Sequence, residues 1–290
     1  MALGLGAALL AAVVFGSSAV LQATGARRAP AATGLDLKLL VRLLREPAFV
    51  GALLLNLVGF LLHLVSVRLL PLFLAQGGIA ASLAVTALLA VRFLRDQLGR
   101  AEWLAVLGVC VGLSLLTAAA GQAGEERTTG TINAVLVVTV VGIAIGGAVT
   151  TRSNGTASTS LLSVLAGLGF ATTAVSARIL PDLSPPALLI APATYVLATA
   201  GALAFLLYSV ALQRGAVTAA TAPMIVMQTV TPALVGVLVL GDEVRSGWLA
   251  AAAVGLVSTV AGAVTLARYE GLRNRRRDER PEPAQTGGNS

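Results

Sequence analysis

What constrains this chain most is the spacing of its charges. Nine times, at residues 3–23, 48–67, 71–91, 103–120, 131–150, 160–177, 187–211, 215–240 and 247–267, an apolar run passes without Asp, Glu, Lys or Arg. Each has roughly the 20 residues that an α-helix needs to cross the hydrocarbon core of a bilayer. In hydrocarbon an unpaired N–H or C=O is too costly, so each run must close its own hydrogen bonds as a helix, and none alternates like a barrel strand. A chain 57% hydrophobic and 11% charged, against about 25% charged in soluble domains, has lipid as its solvent.

Residues 35–46 are too charged to span. Leu37, Leu40, Val41 and Leu44 share one helical face, while Lys38, Arg42 and Arg45 gather on another, which predicts an amphipathic helix in the interface, or a tenth crossing if it inserts. Loops rich in Lys and Arg stay cytoplasmic. With the N-terminus outside, sixteen of the 20 basic residues fall on the cytoplasmic side, and only Arg68, Arg127, Arg178 and Arg245 fall outside. The tally predicts a cytoplasmic C-terminus, and the membrane expected is the plasma (bacterial inner) membrane.

Shifting the chain by half of its 290 residues lays Phe60-Leu61-Leu62 on Phe205-Leu206-Leu207, His63 on Tyr208, and Arg100-x-x-Trp103-Leu104-Ala105 on Arg245-x-x-Trp248-Leu249-Ala250. Those are the only two Trp in the chain. A second echo, Phe15-Gly16-Ser17-Ser18-Ala19-Val20 with Phe170-Ala171-Thr172-Thr173-Ala174-Val175, is displaced by about ten residues more, which the 35–46 segment accounts for. We read a duplication: residues 1–120 as a first repeat, 131–150 as a linking helix, 160–267 as a second repeat, and 274–290 as a disordered cytoplasmic tail. Copies five crossings apart point in opposite directions, so the expected fold is an all-α polytopic membrane protein with nine transmembrane helices, or ten, in two inverted-topology repeats.

The formal charge of +7 follows from topology and implies no nucleic acid. Cys110 is alone, which excludes a disulfide framework and a zinc motif. The first apolar run is expected to be retained rather than cleaved as a signal, since no basic residue precedes Leu3 and Arg27 and Arg28 follow it. The Arg275-Arg276-Arg277 run in the tail reads as a positive-inside anchor.

Ala222-Pro223, the apolar run after it, Gly241-Asp242-Glu243 and the boundary Trp248 resemble the EamA-type repeat of the drug/metabolite transporter superfamily, in which a Glu follows the fourth helix of the unit. The first half departs from that pattern, with Asp96-Gln97-Leu98 where the Glu would fall. Phe15 to Gln22, together with Asn56, resembles the NIPA-type branch of magnesium transporters. The resemblance spans residues 3–267 and implies alternating-access transport.

The chemistry available within the runs is neutral. No carboxylate sits where a proton-coupled carrier would hold one, and Mg²⁺ wants oxygen ligands that usually include one, so the NIPA resemblance carries no metal site onto a named residue. The candidate substrate-binding residues are Asn56 and His63 in the second run, Gln76 in the third, Gln228 and Thr231 in the eighth, and Ser17 and Thr172 at matching positions in the first and sixth. Ser82 is a further polar group in the third run. Buried polar groups in lipid must find partners across helices or line a cavity, and Pro232 frees a carbonyl beside Gln228 and Thr231. Gly77-Gly78 and Ala222-Pro223 mark a bend in the third and eighth runs. Asp242, Glu243 and Arg245 read as a turn that caps a helix and marks the repeat boundary.

The function expected is a secondary transporter of a small metabolite, drug or cation. The alternative is a non-transporting membrane scaffold or envelope-assembly subunit on the same fold, which would have a tightly packed interior. No nucleophile with a base and no carboxylate pair marks an enzyme. No cofactor is implied. The partners are the lipid bilayer and an unidentified small-molecule or ion substrate, with homodimerisation left open.

Overall fold

The apolar runs become helices. The structure, a computed structural model, describes residues 1–26, 47–94, 99–124, 130–152, 156–180, 184–214 and 217–278. Its helices are α1 (Ala2–Ala26), α2 (Pro47–Leu69), α3 (Leu72–Leu94), α4 (Arg100–Ala119), α5 (Gly130–Thr150), α6 (Thr156–Arg178), α7 (Pro185–Ile190), α8 (Pro192–Arg214), α9 (Val217–Leu238) and α10 (Leu249–Asp278). Among the described residues there is no strand, only an isolated bridge between Ala120 and Val244. Six helices, α3, α4, α5, α6, α9 and α10, are long and apolar enough to cross a membrane, and α1, α2 and α8 carry shorter apolar stretches. The segment 35–46 lies outside the described residues.

Two boundaries differ from the sequence expectation. The run 187–211 is split at Ala191, whose extended backbone (φ −69°, ψ 121°) separates α7 from α8, because the ring of Pro192 disfavours helical geometry in the residue before it. The last helix continues to Asp278, past the start of the expected tail at Asn274, and residues 279–290 lie outside the described set. Neither Gly77-Gly78 nor Pro223 ends its helix: α3 and α9 run through them.

Burial is graded by position. α3 is the inner helix, with 67% of its span buried, whereas α5 has 17% buried. Leu104, Val138, Ile145, Leu206 and Val257 point outward with more than half of their surface free, as side chains facing lipid do. α1 packs mainly on α2 and α3, α6 on α8 and α9, and α4 on α10. The α4–α10 crossing is close. A Cβ on Gly112 would collide with the Gly255 carbonyl at 2.6 Å, and one on Gly255 would sit 2.9 Å from the Gly112 carbonyl, the near approach of backbones that small residues permit in membranes.

Candidate functional site

One end of the bundle is tied by a buried pair of charges. α9 stops where Gly241 takes a left-handed conformation (φ 74°), which glycine adopts without steric cost. The Asp242 N–H then donates back to the Gly236 carbonyl at 2.8 Å. The turn is pinned to the end of α4, with the Gly121 N–H donating to Glu243 O at 3.0 Å, the Glu243 N–H to Gln122 O at 2.9 Å and the Arg245 N–H to Ala119 O at 2.9 Å. The Arg245 guanidinium lies 5.9 Å from the Trp248 ring centre.

This folding turns Asp242 inward, where it is 4% exposed. Its Oδ2 accepts from the Leu72 N–H at 2.6 Å, satisfying an open donor in the first turn of α3, where a negative charge is also favoured by the helix dipole. Its Oδ1 accepts from the Gly124 N–H at 2.9 Å and from Arg178 Nη2 at 3.4 Å. Arg178, the last residue of α6, is 1% exposed. Its Nη1 donates to the carbonyls of Val67 at 2.6 Å and Leu70 at 3.1 Å, at the C-terminal end of α2, where a cation is favoured. Its Nη2 also donates to Gly124 O at 2.8 Å.

Next to this cluster is a cavity of about 370 Å³. Ala177, Leu64 and Gln76 line it, and each lies within about one helical turn of a cluster member: Arg178, Val67 and Leu72 respectively. The cluster therefore lies beside that end of the lining. Its polar lining comes from His63 on α2, Gln76 and Ser82 on α3, Thr173 on α6 and Gln228 on α9, and its aromatic lining is Phe15, Phe60 and Phe170. The Ser82 and Thr173 hydroxyls donate to backbone carbonyls of their own helices, Ile79 O at 2.7 Å and Gly169 O at 3.0 Å. Gln76 is 3% exposed and its Nε2 is buried with no hydrogen-bond partner among the described residues.

His63 is held from behind. Ser66 Oγ donates its one proton to the His63 carbonyl at 2.8 Å and stands 3.3 Å from His63 Nδ1. With that proton engaged, the contact is satisfied when Nδ1 carries hydrogen and donates, which leaves Nε2 of the neutral ring as an acceptor.

Of the residues expected to form the site, His63, Gln76 and Gln228 share this cavity. Thr172 and Thr231 line a different one, an apolar space of about 340 Å³ among α5, α6 and α9. Asn56 is half-buried on α2, two turns from His63, and Ser17 is half-buried on α1; neither lines either cavity. Sequence reasoning misses Arg178 and Asp242, both of which fall between its apolar runs. It also misses the aromatic walls, although Phe15 and Phe170 begin the two echoed segments and both face the cavity. Among the described residues no group of three or more His, Cys, Asp or Glu could hold a metal ion. No family model, curated protein or solved structure matches the chain.

Proposed function

We propose that the chain is a secondary transporter of the drug/metabolite type, moving a small metabolite or drug through the 370 Å³ cavity by alternating access between two inverted halves. The observation that carries the reading is the position of that cavity. It lies among helices of both halves, with α1, α2 and α3 on one side and α6 and α9 on the other. Beside one end of it, bonds run between the halves from Arg178 and Asp242 to the ends of α2 and α3.

Two further points support it. α1 packs on α2 and α3 as α6 packs on α8 and α9, the pairing that a duplicated unit would produce. The basic-residue tally, with the N-terminus outside, favours an outer-face location for the Arg178 cluster, and on this reading the bonds there would act as the outward gate. A Mg²⁺ substrate is disfavoured because no carboxylate lines the cavity.

Cysteine accessibility tests this without a known substrate. In a Cys110→Ser background, Thr173→Cys is reacted with a membrane-impermeant maleimide from each side of sealed vesicles. Labelling from the face opposite the cluster is expected, and adding Asp242→Asn should admit reagent from the cluster side. A Thr173→Cys that stays unreactive from both sides in both backgrounds would sink alternating access.

A further inference from the structure

We propose that the cavity binds an uncharged aromatic molecule bearing an amide or lactam, with the aromatic ring among Phe15, Phe60 and Phe170 and the amide between His63 and Gln76. This rests on reading the cavity as a binding chamber and names what the chamber would hold.

Charge decides first. None of the residues lining the cavity is Asp, Glu, Lys or Arg, so a charged ligand would leave water without a counter-ion, which is heavily penalised in a membrane interior. Shape decides next. Three phenylalanines from three helices supply flat apolar surface, and about 370 Å³ is at the small end of the roughly 300–1,000 Å³ of ligand pockets.

The polar groups then specify the head. The half-chain shift that lays His63 on Tyr208 also lays Gln76 on Thr221. In the second half that pair satisfies itself, with Tyr208 Oη and Thr221 Oγ1 at 2.8 Å. In the first half the equivalent pair stays open: His63 Nδ1 faces Ser66, and Gln76 Nε2 is buried without a partner among the described residues. A buried donor left unpaired in lipid is costly. A rotation about the broad terminal torsion of Gln76 turns its donor to the cavity, where it meets a ligand carbonyl while His63 Nε2 accepts the ligand N–H. An amide or lactam carries both groups side by side.

The test uses three near-isosteric probes on the full chain in lipid nanodiscs: benzamide, benzoate and benzamidinium, followed by ligand-observed saturation-transfer NMR and equilibrium dialysis. Benzamide should bind at least about tenfold more tightly than either charged probe, a gap of roughly 1.4 kcal/mol. Gln76→Leu should weaken benzamide several-fold and leave toluene binding unchanged. Benzamidinium or benzoate binding as well as benzamide would overturn the proposal on the unaltered protein, even if Gln76→Leu failed to fold. Equal loss of toluene and benzamide in Gln76→Leu would also overturn it, by tracing the effect to cavity shape. Benzamide bound but never carried across proteoliposomes would refute transport and leave this binding assignment standing. Flux confined to charged compounds would do the reverse.

Discussion

Arg178 and Asp242, 64 residues apart in sequence, meet at 3.4 Å with almost no surface exposed, and together they hold backbone groups of Val67, Leu70, Leu72 and Gly124. The ion pair alone is long and not bidentate. What makes the junction strong is that Arg178 Nη1 and Nη2 and both Asp242 carboxylate oxygens also reach backbone groups at helix ends or in the loop at Gly124.

The losses on removing either charge should therefore overlap. Asp242→Ala leaves the Arg178 guanidinium buried without its carboxylate, and a loss of about 3–5 kcal/mol is expected. Combining it with Arg178→Met should cost clearly less than the sum of the two single losses. Unfolding in mixed micelles, arranged as a double-mutant cycle, measures the difference. Additive losses would mean that the two side chains act independently.

The α4–α10 contact makes a sharper steric prediction. Gly112→Ile forces a branched side chain against the Gly255 backbone and should destabilise by about 1–3 kcal/mol. A Cβ added at Gly142 on α5 would meet nothing within 4 Å, so Gly142→Ala should change stability by less than about 0.5 kcal/mol. Thermal unfolding of the two variants side by side checks the contrast.

His63 is the only histidine, so its ring nitrogens can be read from a single ¹⁵N spectrum. The Ser66 geometry predicts the Nδ1–H tautomer for the neutral ring. Ser66→Ala should erase that preference by removing the acceptor. A spectrum of the unaltered protein dominated by Nε2–H would contradict the arrangement.

Thr172 and Thr231 line the second cavity and not the first. Because both line the space against α5, Thr172→Val and Thr231→Val should leave benzamide affinity within about twofold, whereas Gln228→Ala, in the first cavity, should lower it several-fold. Dialysis on the three variants decides whether the chambers are independent.

The helices are legible because hydrocarbon leaves the backbone one way to pair itself, so uncharged length alone marks them. The break at Ala191 is not read, because Pro192 falls inside a long apolar run. The rule that buried polar groups seek company groups His63, Gln76 and Gln228, but it adds Asn56, Ser17, Thr172 and Thr231, which lie outside this cavity. Arg178 cannot be read this way. Its partners are carbonyls 108 and 111 residues distant, and a carbonyl leaves no trace in the side-chain sequence. Asp242 is similarly hidden: Gly241 signals a turn, but the direction in which the turn aims the carboxylate depends on where α3 begins.

Both charges of the junction come from residues after 155, and the backbone groups they grip at Val67, Leu70, Leu72 and Gly124 all come from residues before 125. Parting these segments thus means letting go of neutral dipoles while the cation and the anion travel together. The pair carries zero net charge, so the transmembrane potential, which acts on each elementary charge with about 2.3 kcal/mol per 100 mV, would have almost nothing to pull on in it. Under the proposed alternating access, opening at this face would respond little to voltage.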